Sequence, residues 1–326
     1  NFGYGKPSPA LTELVIERVA RLHDWRIQPN WLVWLPGMVC GFNIAIRAMG
    51  KEGDEVLSNI PVYPPFLTAP GNFGQNFVGI PMALEGDRHT IDSDALETAV
   101  SPRSKTFLFC HPHNPVGTQF SRAELERFAE FCLSHELTAC SDEIHCDLLL
   151  DEGTTHMPLA AISSDIADKT ITLMAPSKTF NLPGFGCSFA IISNPELRIR
   201  YKKACAGIVP DPPAMGFALA ETAYRHGEPW RQRLLHYLRA NRDLALSRLG
   251  AIPALFPFPV SATYLLWIDA RELGVENPQQ FFEEAGVGLS DGADFGSPGF
   301  LRLNLGCTRA LLEQALDRME QAVGAR

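Results

Sequence analysis

Thr170-Ile171-Thr172-Leu173-Met174 runs directly into Ala175-Pro176-Ser177-Lys178-Thr179-Phe180-Asn181-Leu182-Pro183-Gly184. The first five residues form an apolar run of strand length, and the stretch after them holds the Pro, Asn and Gly of a turn. A lysine at the exit of a buried strand, beside a hydroxyl and ahead of a turn, has an ammonium that burial partly desolvates. Its pKa falls, and Lys178 reads as an amine nucleophile of the Schiff-base kind.

Three further stretches share this layout. Ser141-Asp142-Glu143-Ile144-His145 follows the apolar run from Leu137 to Cys140. His111-Pro112-His113-Asn114-Pro115-Val116-Gly117 follows Thr106 to Cys110, and Pro61-Val62-Tyr63-Pro64-Pro65 follows Asp54-Glu55-Val56-Leu57. Helices are expected between these runs. Ser8 caps one that opens at Pro9, with Leu11, Leu14, Val15, Val19 and Leu22 on one face, and Ser121 with Glu124 makes a capping box for another. Alternation of this kind implies a parallel sheet with helices on both faces, an α/β fold.

In open parallel sheets the ligand crevice lies outside the carboxyl ends of the strands, so residues far apart in sequence converge there. Tyr63, Asn114, Asp142 and Lys178 then supply a ring to stack on, an amide for a phenolic oxygen, a counter-charge for a pyridine nitrogen and an amine for an aldehyde. Those are the groups that pyridoxal 5'-phosphate requires. For the phosphate, Gly37-Met38-Val39-Cys40-Gly41 leads into an apolar helix from Phe42 to Met49, so the N–H groups of Met38 and Val39 face an anion at the helix end. Ser177 adds a hydroxyl, and His145 can reach the phenolic oxygen. In Phe300-Leu301-Arg302-Leu303-Asn304, Leu301 and Leu303 share one face and Arg302 and Asn304 the other, which suits Arg302 to bidentate capture of a substrate α-carboxylate. Glu143 and Asp147 read as solvated or supporting carboxylates.

With these motifs in order, the sequence resembles the fold-type I pyridoxal-phosphate enzymes, and within them the MalY/PatB group of cystathionine β-lyase-like carbon-sulfur lyases. The resemblance runs from Asn1-Phe2-Gly3-Tyr4-Gly5 to Leu301-Arg302-Leu303-Asn304-Leu305-Gly306-Cys307. Class I aminotransferases look alike over most of this span, but typically carry an arginine eight residues after the lysine and a tyrosine three residues after the aspartate. Here those places hold Gly186 and His145. The resemblance implies a β-elimination on L-cystathionine or a related L-cysteine conjugate, with an aminotransferase as the alternative and a cofactor-loaded binding or regulatory protein as a minor one. It also implies a homodimer with shared active sites, in which Tyr4 reaches the phosphate held by the neighbouring subunit. Members of this group normally carry a longer stretch ahead of the Gly-Tyr segment, part of which closes over the substrate; this sequence opens at Asn1.

At 326 residues the chain is expected to divide in two, a large cofactor-binding domain over 1–228 and a small C-terminal α+β domain over 229–326. The texture changes after Gly227, to a long helix from Pro229 to Leu249, a strand from Tyr264 to Ile268, a helix from Pro278 to Ala285, a strand from Phe300 to Asn304 and a last helix from Thr308. A net charge of −9 argues against nucleic acid as a partner, which needs a basic face. No apolar run reaches membrane-spanning length, and nothing at the start directs the chain out of the cytosol. The eight cysteines show no Cys-x-x-Cys spacing, so mostly buried, reduced thiols in a cytoplasmic protein are expected, with no metal site.

Overall fold

The computed structural model describes residues 3–325; Asn1 and Phe2, where the resemblance begins, lie outside them. A seven-stranded sheet runs in the order Leu32–Leu35, Ser188–Ile191, Thr170–Met174, Thr138–Asp142, Ser104–Cys110, Glu55–Ile60, Asn76–Pro81. Ser188–Ile191 is antiparallel to both of its neighbours, and the other strand pairs are parallel. The mostly parallel α/β sheet expected from the alternation is the one observed. Its strands at Leu32, Asn76 and Ser188 were not anticipated individually.

Period two divides the core. Leu108 and Cys110 face a cluster with the helix Met38–Met49 and Tyr201, whereas Phe107 and Phe109 face a second cluster with the helix Arg122–Ser134. Both faces are thus apolar and both are covered, as a parallel sheet requires. Ser121 and Glu124 close their capping box, and Ser8 accepts from the N–H of Leu11 at 2.9 Å at the start of Pro9–His23.

A four-stranded antiparallel sheet, Phe256–Pro257, Leu265–Asp269, Phe300–Asn304 and Ser290–Asp291 in spatial order, forms the second unit. The helices Glu228–Leu249 and Arg309–Gly324 bring Leu235, Leu238, Leu312 and Leu316 to its core. Leu148 and Leu150, from beyond the strand Thr138–Asp142, complete that core. They lock the two sheets together around the cleft between them.

Two local readings are corrected. The helix expected from Phe42 starts four residues earlier, at Met38, with Gly37 as its cap residue. A Cβ at Gly41 would lie 3.1 Å from Leu35 and from Leu173, so glycine here serves close helix–sheet packing and not a loop. Tyr201 donates to the Gly41 carbonyl at 2.9 Å and holds the same approach. Glu143 and Asp147 are not solvated: both are buried, Glu143 against His156 at 2.7 Å and Asp147 against Arg18 at 2.9 Å.

Candidate active site

A cavity of about 380 Å³ opens at the carboxyl ends of the central strands, against the small sheet. Met38, Val39, Tyr63, Asn114, Asp142, His145, Ser177, Lys178 and Arg302 all line it. Asp142 ends one strand and Lys178 follows the adjacent parallel one, which carries both to the same rim. Tyr63 and Asn114 come from the exits of the next two strands, and Arg302 reaches across from the small sheet. Tyr4 stands apart: its side chain is 98% exposed and lines no part of this chain's own cavity.

The anion end is built from backbone. The first bond within the helix runs from the N–H of Gly41 to the Gly37 carbonyl, so the N–H groups of Met38, Val39 and Cys40 have no acceptor in the helix. Ser177 lies on the wall with them. Charge at this end is supplied by aligned dipoles.

Burial lowers the pKa of Lys178; Asp142 pulls it back up and Arg302 pushes it further down. Among the described residues the amine has no hydrogen bond or ion pair. Burial pushes Asp142 up to about 7, opposed by the N–H of Ile144, which donates to Oδ1 at 3.1 Å, and by the Lys178 ammonium. A buried carboxyl in that state gains from a cationic partner. His145 is held down to about 3 by burial and then by the two nearby cations, so it is neutral, and its buried Nδ1 has no partner.

Arg302 donates from Nη1 to Asn114 Oδ1 at 3.0 Å and from Nη2 to Ser290 Oγ at 3.1 Å. Phe295 lies under the guanidinium, 4.6 Å from Cζ to the ring centroid. Tyr264 also lines the cavity, with its ring 5.8 Å from that of His145. Sequence reasoning missed Tyr264, Ser290 and Phe295. Alternation in the small-sheet strands pointed to Arg302 and Asn304, but Tyr264 sits just ahead of its strand and Ser290 on one of two residues.

An amine, a carboxyl, an amide and a helix end with free N–H groups surround one cavity in this fold, and the chain matches the family "Aminotransferase class I and II" over residues 1–319. It belongs to that family. The cystathionine beta-lyase PatB of Bacillus subtilis (strain 168) is 34% identical over 99% of this chain and 85% of its own length. The crystal structure of OvoB superposes with a TM-score of 0.98 and 46% identity, over 100% of this chain and 86% of that one. Cystalysin from Treponema denticola, whose crystal structure contains a pyridoxal 5'-phosphate cofactor, superposes with a TM-score of 0.96 and 31% identity, over 100% and 84%.

Proposed function

We propose that this chain is a pyridoxal-phosphate carbon-sulfur β-lyase that cleaves L-cystathionine or a related L-cysteine S-conjugate to a thiol, pyruvate and ammonia. The observation that carries the lyase reading over the aminotransferase one is Gly186. Its φ is +53°, and a Cβ there would lie 2.8 Å from the Pro36 carbonyl oxygen. The arginine that the resembling aminotransferases place at this position has no room, so no second cation faces the phosphate from here.

The residues present fit the cofactor: Asp142 is a buried carboxyl short of a cation, and the unpaired N–H groups of the Met38 helix end are short of an anion. When bound, pyridoxal phosphate supplies an aldehyde and an electron-accepting ring. Asp142 would hold the pyridine nitrogen protonated, Tyr63 would stack on the ring, and Asn114, with His145, would bond its phenolic oxygen. Met38, Val39 and Ser177 would take the phosphate.

Arg302 would orient the substrate by its α-carboxylate. Lys178, whose pKa burial lowers, removes the α-proton. The substrate then expels its β-thiolate, and the three-carbon remainder takes up water to give pyruvate and ammonia.

Tyr4, exposed in this chain, would complete the phosphate site of a second copy, so the active unit is read as a homodimer. No helix among the described residues is long and apolar enough to cross a membrane. The eight free thiols and the acidic charge support a cytoplasmic protein. The deciding experiment offers cystathionine without any keto-acid acceptor: steady pyruvate release is expected, and turnover only when an acceptor is added would make the chain an aminotransferase.

A further inference from the structure

We infer that Ser290 is a positioning residue for substrate recognition, holding the Arg302 guanidinium in the attitude that meets an α-carboxylate. The inference rests on the reading of Arg302 as the carboxylate ligand and extends it to a residue that does not line the cavity.

Ser290 and Arg302 are directly paired across the antiparallel strands Ser290–Asp291 and Phe300–Asn304. Paired residues project from the same face, which brings Ser290 Oγ to 3.1 Å from Arg302 Nη2. Asn114 Oδ1 holds Nη1 at 3.0 Å, and the Phe295 ring supports the plane from below. Two donors and one face are thereby fixed, and the remaining N–H groups of the fork stay free for a ligand.

The chemistry of these supports matters as much as their number. Arg18, a buried arginine elsewhere in the fold, is neutralised by Asp147 and Glu228. Arg302 has only neutral acceptors, a hydroxyl and an amide, and forms no ion pair among the described residues. A neutral acceptor fixes the geometry without competing for the charge. A carboxylate at position 290 would fix it equally well and consume the attraction meant for the substrate.

Ser290 is itself held. The chain doubles back after it: the Ser297 N–H donates to the Gly292 carbonyl at 2.8 Å, and a Cβ on Gly292 would lie 2.8 Å from the Phe300 carbonyl carbon. The carbonyl of Phe295 accepts from the N–H of Val62 at 3.2 Å, which ties the same segment to the loop that presents Tyr63.

The test uses cofactor-loaded protein and two ligands that differ by the carboxylate, L-alanine and ethylamine, with affinity read from the cofactor's absorbance. Ser290→Ala is expected to weaken L-alanine about tenfold and leave ethylamine unchanged, Ser290→Thr to retain wild-type affinity, and Arg302→Ala to weaken L-alanine about a hundredfold. L-alanine binding unchanged in Ser290→Ala but lost in Arg302→Ala would overturn the role of Ser290 and leave that of Arg302 standing. Unchanged L-alanine binding in both variants would overturn the reading of Arg302 as well. Equal weakening of both ligands in Ser290→Ala would reduce Ser290 to general support and also overturn the inference.

Discussion

Arg302 donates to the side-chain carbonyl of Asn114 at 3.0 Å, a bond that joins the small sheet to the loop after the strand Ser104–Cys110. Because Oδ1 is engaged, the amide nitrogen is the end left for the cavity. Asn114→Asp preserves the acceptor for Arg302 and removes the donor. It is expected to weaken pyridoxal-phosphate binding about tenfold, by titration of cofactor into the stripped protein. Unchanged affinity would mean that Asn114 serves Arg302 alone.

Gly186 allows a second check. A side chain there meets both a positive φ and the Pro36 carbonyl, so Gly186→Ala is expected to destabilise the fold by about 1–3 kcal/mol in urea unfolding. Gly186→Arg is expected to be less stable still and to gain no amino transfer to a keto acid. A stable arginine variant with raised transamination would remove the structural basis for choosing the lyase.

Asp142→Asn tests charge without volume. The variant is expected to retain cofactor and lose elimination about a hundredfold or more, because a neutral amide cannot keep the ring nitrogen protonated. Pyruvate assays at saturating cofactor measure this. A loss under tenfold would contradict the role given to the carboxylate.

The pH dependence of stability follows from buried histidines. His23, His89 and His113 are held down to about 4, and His111, His145 and His156 to about 3, in each case first by burial. Unfolded, they titrate near 6.5. As pH falls from about 6.5 toward 4 the unfolded chain takes up protons that the folded one does not, so stability present above that range is lost on acidification. Asp142 and Glu143, both raised to about 7 by burial, act with the opposite sign, since their ionisation costs stability as pH rises. The histidines outnumber them. The urea midpoint of the cofactor-free protein is expected to fall between pH 6.5 and 4.5; a midpoint that climbs over that interval would contradict the neutral burial of these rings.

The sheet and the rim of the site were legible because strand exits are local in sequence: an apolar run, then a polar group, then a turn. Lys178, Asp142, Asn114 and Tyr63 were found in that way. What stayed hidden depends on partners distant in the chain. Asp147 is buried because Arg18 lies 129 residues earlier, and Glu143 because His156 turns back onto it. The early start of the Met38 helix was obscured by Gly41, whose small size answers to Leu35 and Leu173 and not to a turn. Ser290 lies on a strand too short to show a period.

The central claim is that the Lys178 amine carries the cofactor. Borohydride treatment of the cofactor-loaded protein, followed by digestion and peptide mass spectrometry, is expected to find the phosphopyridoxyl group on Lys178 alone and nowhere in Lys178→Ala. A label on another lysine, or an unlabelled and colourless protein in excess cofactor, would contradict it.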